Sequence, residues 1–343
     1  MLPRAALLSA LLLQTGCLTL HVALQSAEGE LELLAARRPI SEVIRSPRTP
    51  PRVRALLGQI GKVKRFGEDQ GLTATGNYQD YVRLRRPAVV YVVSACEPLR
   101  FQPKTWSFPV AGDFPYLGWF DLASARDYAR DLEGDGWDVD LRGAAAYSTL
   151  GWFDDPVLST MIAPGAEALG DLVNVVLHES VHATLHLDGQ APFNESLASF
   201  VADRLTERYL DGALPFQRRA WHAQQERSLR VEDALHDAWR DLDSVYNSAV
   251  SDGDKRARKA ALLAVLRERL RWKGTLNNAT LLGHRTYRSG ARGFAALLEA
   301  CQGDFRQFFA RLRTLRAGSF ARPQEEELDA LLIGLAETTA PRR

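Results

Sequence analysis

The sequence has no excess of charge of either sign, no internal repeat and no low-complexity tract. Its 43 Lys and Arg residues nearly balance 42 Asp and Glu residues in a chain of 343 residues. A protein that binds nucleic acid normally carries a basic face and a surplus of positive charge, so nucleic acid is not expected as a partner. Apolar residues make up 46% and charged residues 25% of the chain, as in ordinary soluble globular proteins.

Cysteine is scarce, and the first of the three cysteines lies in a segment typical of protein targeting. Arg4 is followed by an apolar run over residues 5–13 and then by Gly16 and Cys17. The run is too short to cross a bilayer as a helix, and its layout is that of a cleaved secretory signal. The Gly-Cys junction resembles the lipobox of bacterial lipoproteins, in which the cysteine becomes the lipidated first residue. We therefore predict a lipoprotein signal over residues 1–16 and lipidation at Cys17; a plain secretory signal with an incidental cysteine is the alternative.

The residue that follows Cys17 indicates in which membrane a lipoprotein would be anchored. Leu18 stands where an aspartate would be associated with retention in the inner membrane. We expect an outer-membrane lipoprotein in the bacterial cell envelope, facing the periplasm and held to the membrane through its N-terminal lipid anchor.

The two remaining cysteines leave two alternatives open. In an oxidising compartment Cys96 and Cys301 could form a disulfide. However, Cys96 ends an apolar strand-like run and Cys301 lies in a helical pattern. Two buried free thiols are therefore equally consistent with the sequence.

The pattern along the chain changes from mixed to helical. Residues 88–93 form a short β-rich apolar run that predicts a buried strand, and residues 137–141 predict another. Three prolines and two glycines in residues 103–121 favour extended segments and turns. Helices are predicted over residues 28–38, 52–66, 122–132 and most of the chain after 167. The predicted fold class is α+β and predominantly helical, with a small sheet in the N-terminal half. No linker marks a second domain, so residues 17–343 are predicted to form a single domain with an appended C-terminal helical region.

One helical stretch, residues 170–187, is apolar all round and yet contains His178, Glu179 and His182. Buried carboxylates and imidazoles cost free energy unless they have partners. His178 and His182 lie one helical turn apart, so both rings can reach a single ion. This is the His-Glu-x-x-His pattern of zinc peptidases, in which Glu179 would be the base that activates the attacking water. The alternative is a buried helix whose histidines bond to backbone carbonyls, which leaves Glu179 unexplained.

A catalytic zinc ion needs a third protein ligand and keeps one position for water. His186 lies another turn along the helix, about 12 Å of rise from His178, so a straight helix cannot bring it to the same ion. Glu195 is the better candidate, because residues 193–200 open a second helix whose first turn can face the first helix. The alternative for Glu195 is an ordinary carboxylate at a helix N-terminus. Asp203, two turns further on, is either a partner of a histidine ligand or exposed to solvent.

The pair Asn194-Glu195 resembles the third-ligand helix of gluzincin peptidases, and the wider sequence resembles the bacterial family of predicted aminopeptidases. The resemblance is carried by residues 178–182 with 193–196, 108–112 with 116–120, and 276–279 with Tyr287. It implies a zincin-like metallopeptidase domain with one Zn²⁺ per chain, held by His178, His182 and Glu195, and a peptide as substrate.

The resemblance also implies roles for other residues in metal-assisted hydrolysis, with Glu179 as general base. Tyr287 lies in a family-like segment and is predicted to stabilise the developing oxyanion, with His284 and Tyr147 as other candidates. Asn278 is predicted to orient the substrate backbone or, alternatively, to cap the helix that follows it.

The leading functional prediction is a lipid-anchored zinc aminopeptidase. The sequence lacks the Gly-x-Met-Glu-Asn motif with which gluzincin aminopeptidases hold the amino group of their substrates. A zinc endopeptidase or a hydrolase of cell-wall peptides is therefore the alternative among enzymes. From another class, the alternative is a non-catalytic zinc-binding structural lipoprotein, which would have no use for Glu179 as a base.

Overall fold

Helices make up most of the chain, and the strands form small sheets, which agrees with the predicted α+β class. The computed structural model describes residues 4–108, 112–146, 154–283 and 290–338. The helices are α1 (Arg4–Ala35), α2 (Ile40–Arg45), α3 (Pro51–Leu57), α4 (Ile60–Asp69), α5 (Leu122–Gly134), α6 (Ala168–Thr184), α7 (Ala191–Leu210), α8 (Pro215–Tyr246), α9 (Asp252–Leu270), α10 (Asn278–Leu282), α11 (Ala291–Ala300), α12 (Phe305–Leu312) and α13 (Asp329–Glu337). The strands are β1 (Arg38–Pro39), β2 (Asp80–Val82), β3 (Val90–Cys96), β4 (Trp106–Phe108), β5 (Gly112–Phe114), β6 (Leu117–Trp119), β7 (Asp138–Ala144) and β8 (Val157–Leu158).

The chain divides into two compact units, each built from three separate segments. Unit 1 contains residues 1–37, 84–147 and 231–285, and unit 2 contains residues 38–83, 148–230 and 286–343. This division does not test the prediction of a single domain over residues 17–343, which stays a prediction.

Unit 1 contains an antiparallel sheet with the strand order β6-β3-β7. Alternate residues of β3, namely Tyr91, Val93 and Ala95, are buried in one core cluster with Ala125 and Ala129 of α5. Side chains that alternate along a strand point to opposite faces, so the helix covers one face of this sheet. The strands predicted near residues 88–93 and 137–141 are confirmed as β3 and β7.

Unit 2 contains a second small sheet and the helices α6 and α7, which both bury many residues. Strand β2 pairs antiparallel with β1 and parallel with β8. Helix α6 buries Leu172, Val176, Leu177 and Val181, and α7 buries the apolar residues Phe193, Leu197, Val201 and Leu205. Most of these buried positions recur at four-residue spacing, so each helix presents a continuous apolar stripe to the core.

Two of the predicted helices have different bounds. The helix predicted over residues 28–38 ends at Ala35, because Arg38 and Pro39 enter strand β1. The helix predicted over residues 52–66 is two helices, α3 and α4, with Gly58 as the C-terminal cap of the first.

The structure resolves the question of the two cysteines. Cys96 and Cys301 are both buried free thiols, so no disulfide joins them. Burial raises the pKa of the Cys96 thiol to about 12. Such a thiol remains protonated at neutral pH and behaves as a small apolar side chain.

No helix in the described part of the chain is both long enough and apolar enough to cross a membrane. Helix α1 includes the backbone of Cys17, but the side chain of Cys17 lies outside the described residues. The signal over residues 1–16 and the lipidation of Cys17 therefore stay predictions.

Asp171, in the first turn of α6, gives unit 2 a pH-dependent stability. Burial raises the pKa of this carboxyl to about 6; a hydrogen bond from the Gln224 amide at 3.0 Å acts against burial, and the charge of Glu167 adds to it. An unfolded aspartate titrates near pH 4. Because the folded pKa is the higher one, the stability that Asp171 contributes is complete below about pH 4 and is lost as the pH rises through about 6.

We expect the Asp171→Asn variant, which cannot ionise, to gain about 2 kcal/mol in the free energy of unfolding relative to the unmodified protein between pH 4 and pH 8. Urea unfolding of the metal-free proteins at pH 4, 6 and 8 measures this difference. Parallel stability profiles for the two proteins across that range would contradict the prediction.

Candidate metal centre

Two histidines on α6 form the fixed part of the site. His178 and His182 lie one turn apart, and their rings meet edge to face with centroids 4.8 Å apart. Their Nε2 atoms are 3.2 Å from each other. The side chains are largely buried, with 21% and 15% of their surface exposed, because the rest of α6 is packed into the core of unit 2.

The third member of the site comes from α7. Oε2 of Glu195 is 3.4 Å from Nε2 of His178, and Oε1 is 3.6 Å from Nε2 of His182. The Glu195 side chain is 66% exposed, so the site is open to solvent on this side. The structure thus brings together the three residues that the sequence analysis selected as metal ligands.

The distance between the two histidine nitrogens fits a tetrahedral metal ion. Two ligand atoms bound at about 2.05 Å by such an ion lie roughly 3.3 Å apart. The two Nε2 atoms are 3.2 Å apart, each histidine lies 3.4 or 3.6 Å from a different oxygen of Glu195, and one ligand atom from each residue lies within 4.8 Å of the others. Two imidazoles and one carboxylate also form a common ligand set of catalytic zinc sites. His178, His182 and Glu195 can therefore hold a metal ion.

The charges of the site are strongly coupled. Burial acts to lower the pKa of His178, but its hydrogen bond with Glu195 and the charges of Glu179, Glu195 and Asp203 together raise it. Burial lowers the pKa of His182 to about 4; the charge of Glu195 acts against burial, and the charges of His178 and His186 add to it. Partial burial acts to raise the pKa of Glu195, but the hydrogen bond with His178 and the histidine charges lower it.

The turn between α6 and α7 is closed by a side chain next to the third ligand. The amide oxygen of Asn194 accepts from the Leu187 N–H, and its amide nitrogen donates to the Leu187 carbonyl, both at 2.9 Å. Asn194 is only 3% exposed. These two bonds tie the first turn of α7 to the loop that follows α6, and so place Glu195 opposite the two histidines.

The sequence analysis assumed that His186 lies on α6, but the structure places it beyond the end of this helix. Helix α6 ends at Thr184, and Leu185 adopts an extended conformation with φ −151° and ψ 118°. His186 is exposed, with Nε2 3.9 Å from Oδ1 of Asp188. The apolar pattern continues through Leu187, which made the helix look longer than it is.

Glu179 follows His178 and is partly buried. Its charge acts on Tyr78, which is 5% exposed. Burial, and then the charges of Glu179 and Asp155, raise the pKa of Tyr78 well above its ordinary value. The phenol is therefore protonated at neutral pH.

Tyr78 was missed by sequence reasoning. It adopts a left-handed φ of 65°, which is uncommon for a residue other than glycine. Its N–H donates to the Asp155 carbonyl at 2.7 Å, and the N–H of Asp155 donates to Oδ1 of Asn77 at 2.9 Å. These hydrogen bonds join two loops and hold Tyr78 in place. No local sequence pattern around residue 78 predicts this position.

Asp203 is exposed to solvent, which is one of the two alternatives of the sequence analysis. Its Oδ1 atom accepts a hydrogen bond from the amide of Asn174 at 2.9 Å. Asn174 precedes His178 by one turn of α6, while Asp203 follows Glu195 by two turns of α7. The two helices therefore run in opposite directions, and Asp203 acts on His178 through its charge.

Asn278 lies in unit 1 and is completely buried. Its amide oxygen accepts from the Tyr246 hydroxyl at 2.7 Å, and its amide nitrogen donates to the Glu97 carbonyl at 2.8 Å. The N-terminal cap of α10 is Asn277, so the predicted alternative of a cap belongs to the neighbouring residue. The substrate-binding role of Asn278 stays a prediction that these contacts do not support.

The candidates for oxyanion stabilisation lie outside the described residues. This holds for Tyr287, which was preferred, and for His284 and Tyr147. Their roles stay predictions.

Comparison with known families shows which family the chain belongs to. The model of a family described as "Putative aminopeptidase" matches residues 22–328. The chain belongs to this family. The match includes the whole candidate metal centre, and it confirms the family resemblance read from the sequence motifs. Neither a curated protein nor a solved structure matches the chain.

Membership in this aminopeptidase family indicates that the chain is a peptidase. The match carries no statement about a metal, so the His178–His182–Glu195 triangle is an independent observation about the same molecule. The family indicates the class of reaction, and the geometry indicates a candidate metal site.

Proposed function

We propose that this member of the aminopeptidase family is a zinc-dependent peptidase with a zincin-like fold and a gluzincin ligand set. The observation that carries the proposal is the grouping of His178, His182 and Glu195, which places one ligand atom from each residue within 4.8 Å of the others. Glu179 places a carboxylate beside the first histidine of the His-Glu-x-x-His helix. This supports a hydrolytic site, because a structural metal site needs no base there.

Each residue of the proposed site would have a separate role in binding the ion or in catalysis. His178 and His182 hold the ion from the buried helix α6, and Glu195 completes the set from the solvent side. A bound Zn²⁺ would supply a Lewis acid that polarises the scissile carbonyl and activates water. Glu179 accepts the proton of the attacking water and passes it to the leaving amine. Tyr287 is proposed to donate to the developing oxyanion.

We also propose that the protein works in the bacterial cell envelope as an outer-membrane lipoprotein that faces the periplasm. The support is the segment formed by Arg4, the apolar residues 5–13 and the Gly16-Cys17 junction. The substrate in that compartment would be a peptide with a free amino terminus.

Metal analysis combined with two matched peptides tests the proposed function. We expect the purified chain to contain about one Zn²⁺. We expect it to hydrolyse a peptide with a free amino terminus and to leave the N-acetylated form of the same peptide intact.

The other outcomes of this experiment distinguish the alternatives. Equal hydrolysis of both peptides would show an endopeptidase. Bound metal without hydrolysis of any peptide in a broad library, which should include cell-wall peptides, would favour a structural zinc lipoprotein. No metal in the purified chain would make the central proposal wrong.

A further inference from the structure

The helix that carries the third ligand has no capping side chain of its own. Gln190 stands at the N-terminal cap of α7, but its side chain makes no capping hydrogen bond. The first N–H of the helix, that of Ala191, instead donates to Oε1 of Gln324 at 2.9 Å. The cap therefore comes from a segment more than a hundred residues further along the chain.

That segment, residues 320–325, is named the C-terminal strap here. Besides the cap, it makes three hydrogen bonds to the turn before α7. The Gln324 N–H donates to the Gly189 carbonyl at 2.9 Å. The Gln190 amide donates to the Arg322 carbonyl and accepts from the Glu325 N–H, both at 3.0 Å.

These contacts are partly buried and continue into the core. Gln190 is 3% exposed and Glu325 is 8% exposed, so the bonds between them are shielded from water. At the other end of the strap, the ring of Phe320 packs edge to face against Phe193, with centroids 5.4 Å apart. Phe193 is two residues before Glu195 and is completely buried. The strap thus holds the start of α7 at both its backbone and its apolar face.

We propose that the C-terminal strap acts together with Asn194 to position Glu195 and thereby raises the affinity of the metal centre for its ion. The inference rests on the proposed metal site and goes beyond it, because it assigns a positioning role to Gln190 and Gln324. In the described part of the chain, neither residue is hydrogen-bonded to the three ligands. Each acts through the turn and the first turn of α7, whose placement decides whether Glu195 reaches the two histidines. Outer residues that orient metal ligands commonly change metal affinity by tenfold or more.

The test compares Zn²⁺ dissociation constants of full-length variants, measured by competition with a chromophoric chelator. We expect Gln190→Ala, which removes two buried hydrogen bonds, to weaken Zn²⁺ binding about tenfold. We expect Gln324→Ala, which removes the exposed cap, to weaken it about threefold. Gln324→Glu keeps the accepting oxygen and should bind Zn²⁺ like the unmodified chain.

Asp304→Ala is the matched control for a general loss of stability. Asp304 caps α12 in unit 2 by accepting from the N–H groups of Arg306 and Gln307, and its side-chain hydrogen bonds stay within the first turn of that helix. We expect this variant to lower the melting temperature of the metal-free protein and to leave the Zn²⁺ dissociation constant unchanged.

The failures of the two proposals are distinguishable. If the unmodified chain binds no Zn²⁺, the metal site is wrong and the role of the strap falls with it. If the unmodified chain binds Zn²⁺ and both Gln190→Ala and Gln324→Ala bind it equally well, only the strap proposal is overturned. The same holds if Asp304→Ala weakens binding as much as they do, because the effect would then follow stability alone.

Discussion

Replacement of Glu179 by glutamine is expected to abolish peptide hydrolysis while the metal content stays the same. Glutamine preserves the shape of the side chain but cannot accept a proton at neutral pH, so the attacking water loses its base. General-base catalysis contributes about 10²- to 10⁴-fold to a rate, and we expect a loss of about 10³-fold in kcat. Steady-state hydrolysis of a peptide that the unmodified protein cleaves, together with metal analysis of the variant, measures both parts of the prediction.

Glu207→Gln is the control for this variant, because Glu207 is an exposed carboxylate on α7 with an ion pair to Arg204. It should keep full activity. A Glu179→Gln protein that retains zinc and at least a tenth of the activity would exclude Glu179 as the base. Loss of zinc together with activity would instead assign Glu179 a part in holding the ion.

Replacement of Glu195 by alanine is expected to weaken Zn²⁺ binding by more than about 100-fold. Removal of a direct ligand should exceed the effect of removing an outer residue, which is about 10- to 100-fold. The two histidines would remain in place, because α6 is anchored by its own buried residues rather than by Glu195. Competition with a chelator at fixed pH measures the dissociation constant.

The matched control is Glu207→Ala, which shortens an exposed carboxylate on the same helix. Its Zn²⁺ affinity should equal that of the unmodified chain. An unchanged affinity in Glu195→Ala would show that another residue completes the site, and His186 would then be the first to examine, because it lies in the turn directly after α6.

Much of the site could be predicted because its geometry is local. The spacing of His178 and His182 on a helix fixes their relative position, and a short turn brings the next helix, with Glu195, back to them. Strand β3 could also be predicted, because an apolar β-branched run that is too short for a buried helix is typical of a buried strand. These predictions depend on contacts between residues that are close in sequence.

What could not be predicted depends on contacts between distant segments or on competition between them. The helix predicted over residues 52–66 breaks near Gly58, and α6 ends at Thr184 although the apolar pattern continues. Tyr78 comes near Glu179 only through the pairing of its loop with the segment around Asp155. The cap of α7 by Gln324 spans 133 residues of sequence. One sequence alone contains no periodicity that reports such pairings.

The unequal exposure of the three ligands has a kinetic consequence. Both histidines are rooted in a packed helix, whereas the Glu195 side chain is 66% exposed and can rotate away into water. An incoming chelator or a competing divalent cation could then enter on that side without any unfolding of α6. Replacement of Zn²⁺ by Co²⁺, a spectroscopically visible probe, should therefore proceed through side-chain rotation, at a rate independent of the unfolding rate of the protein.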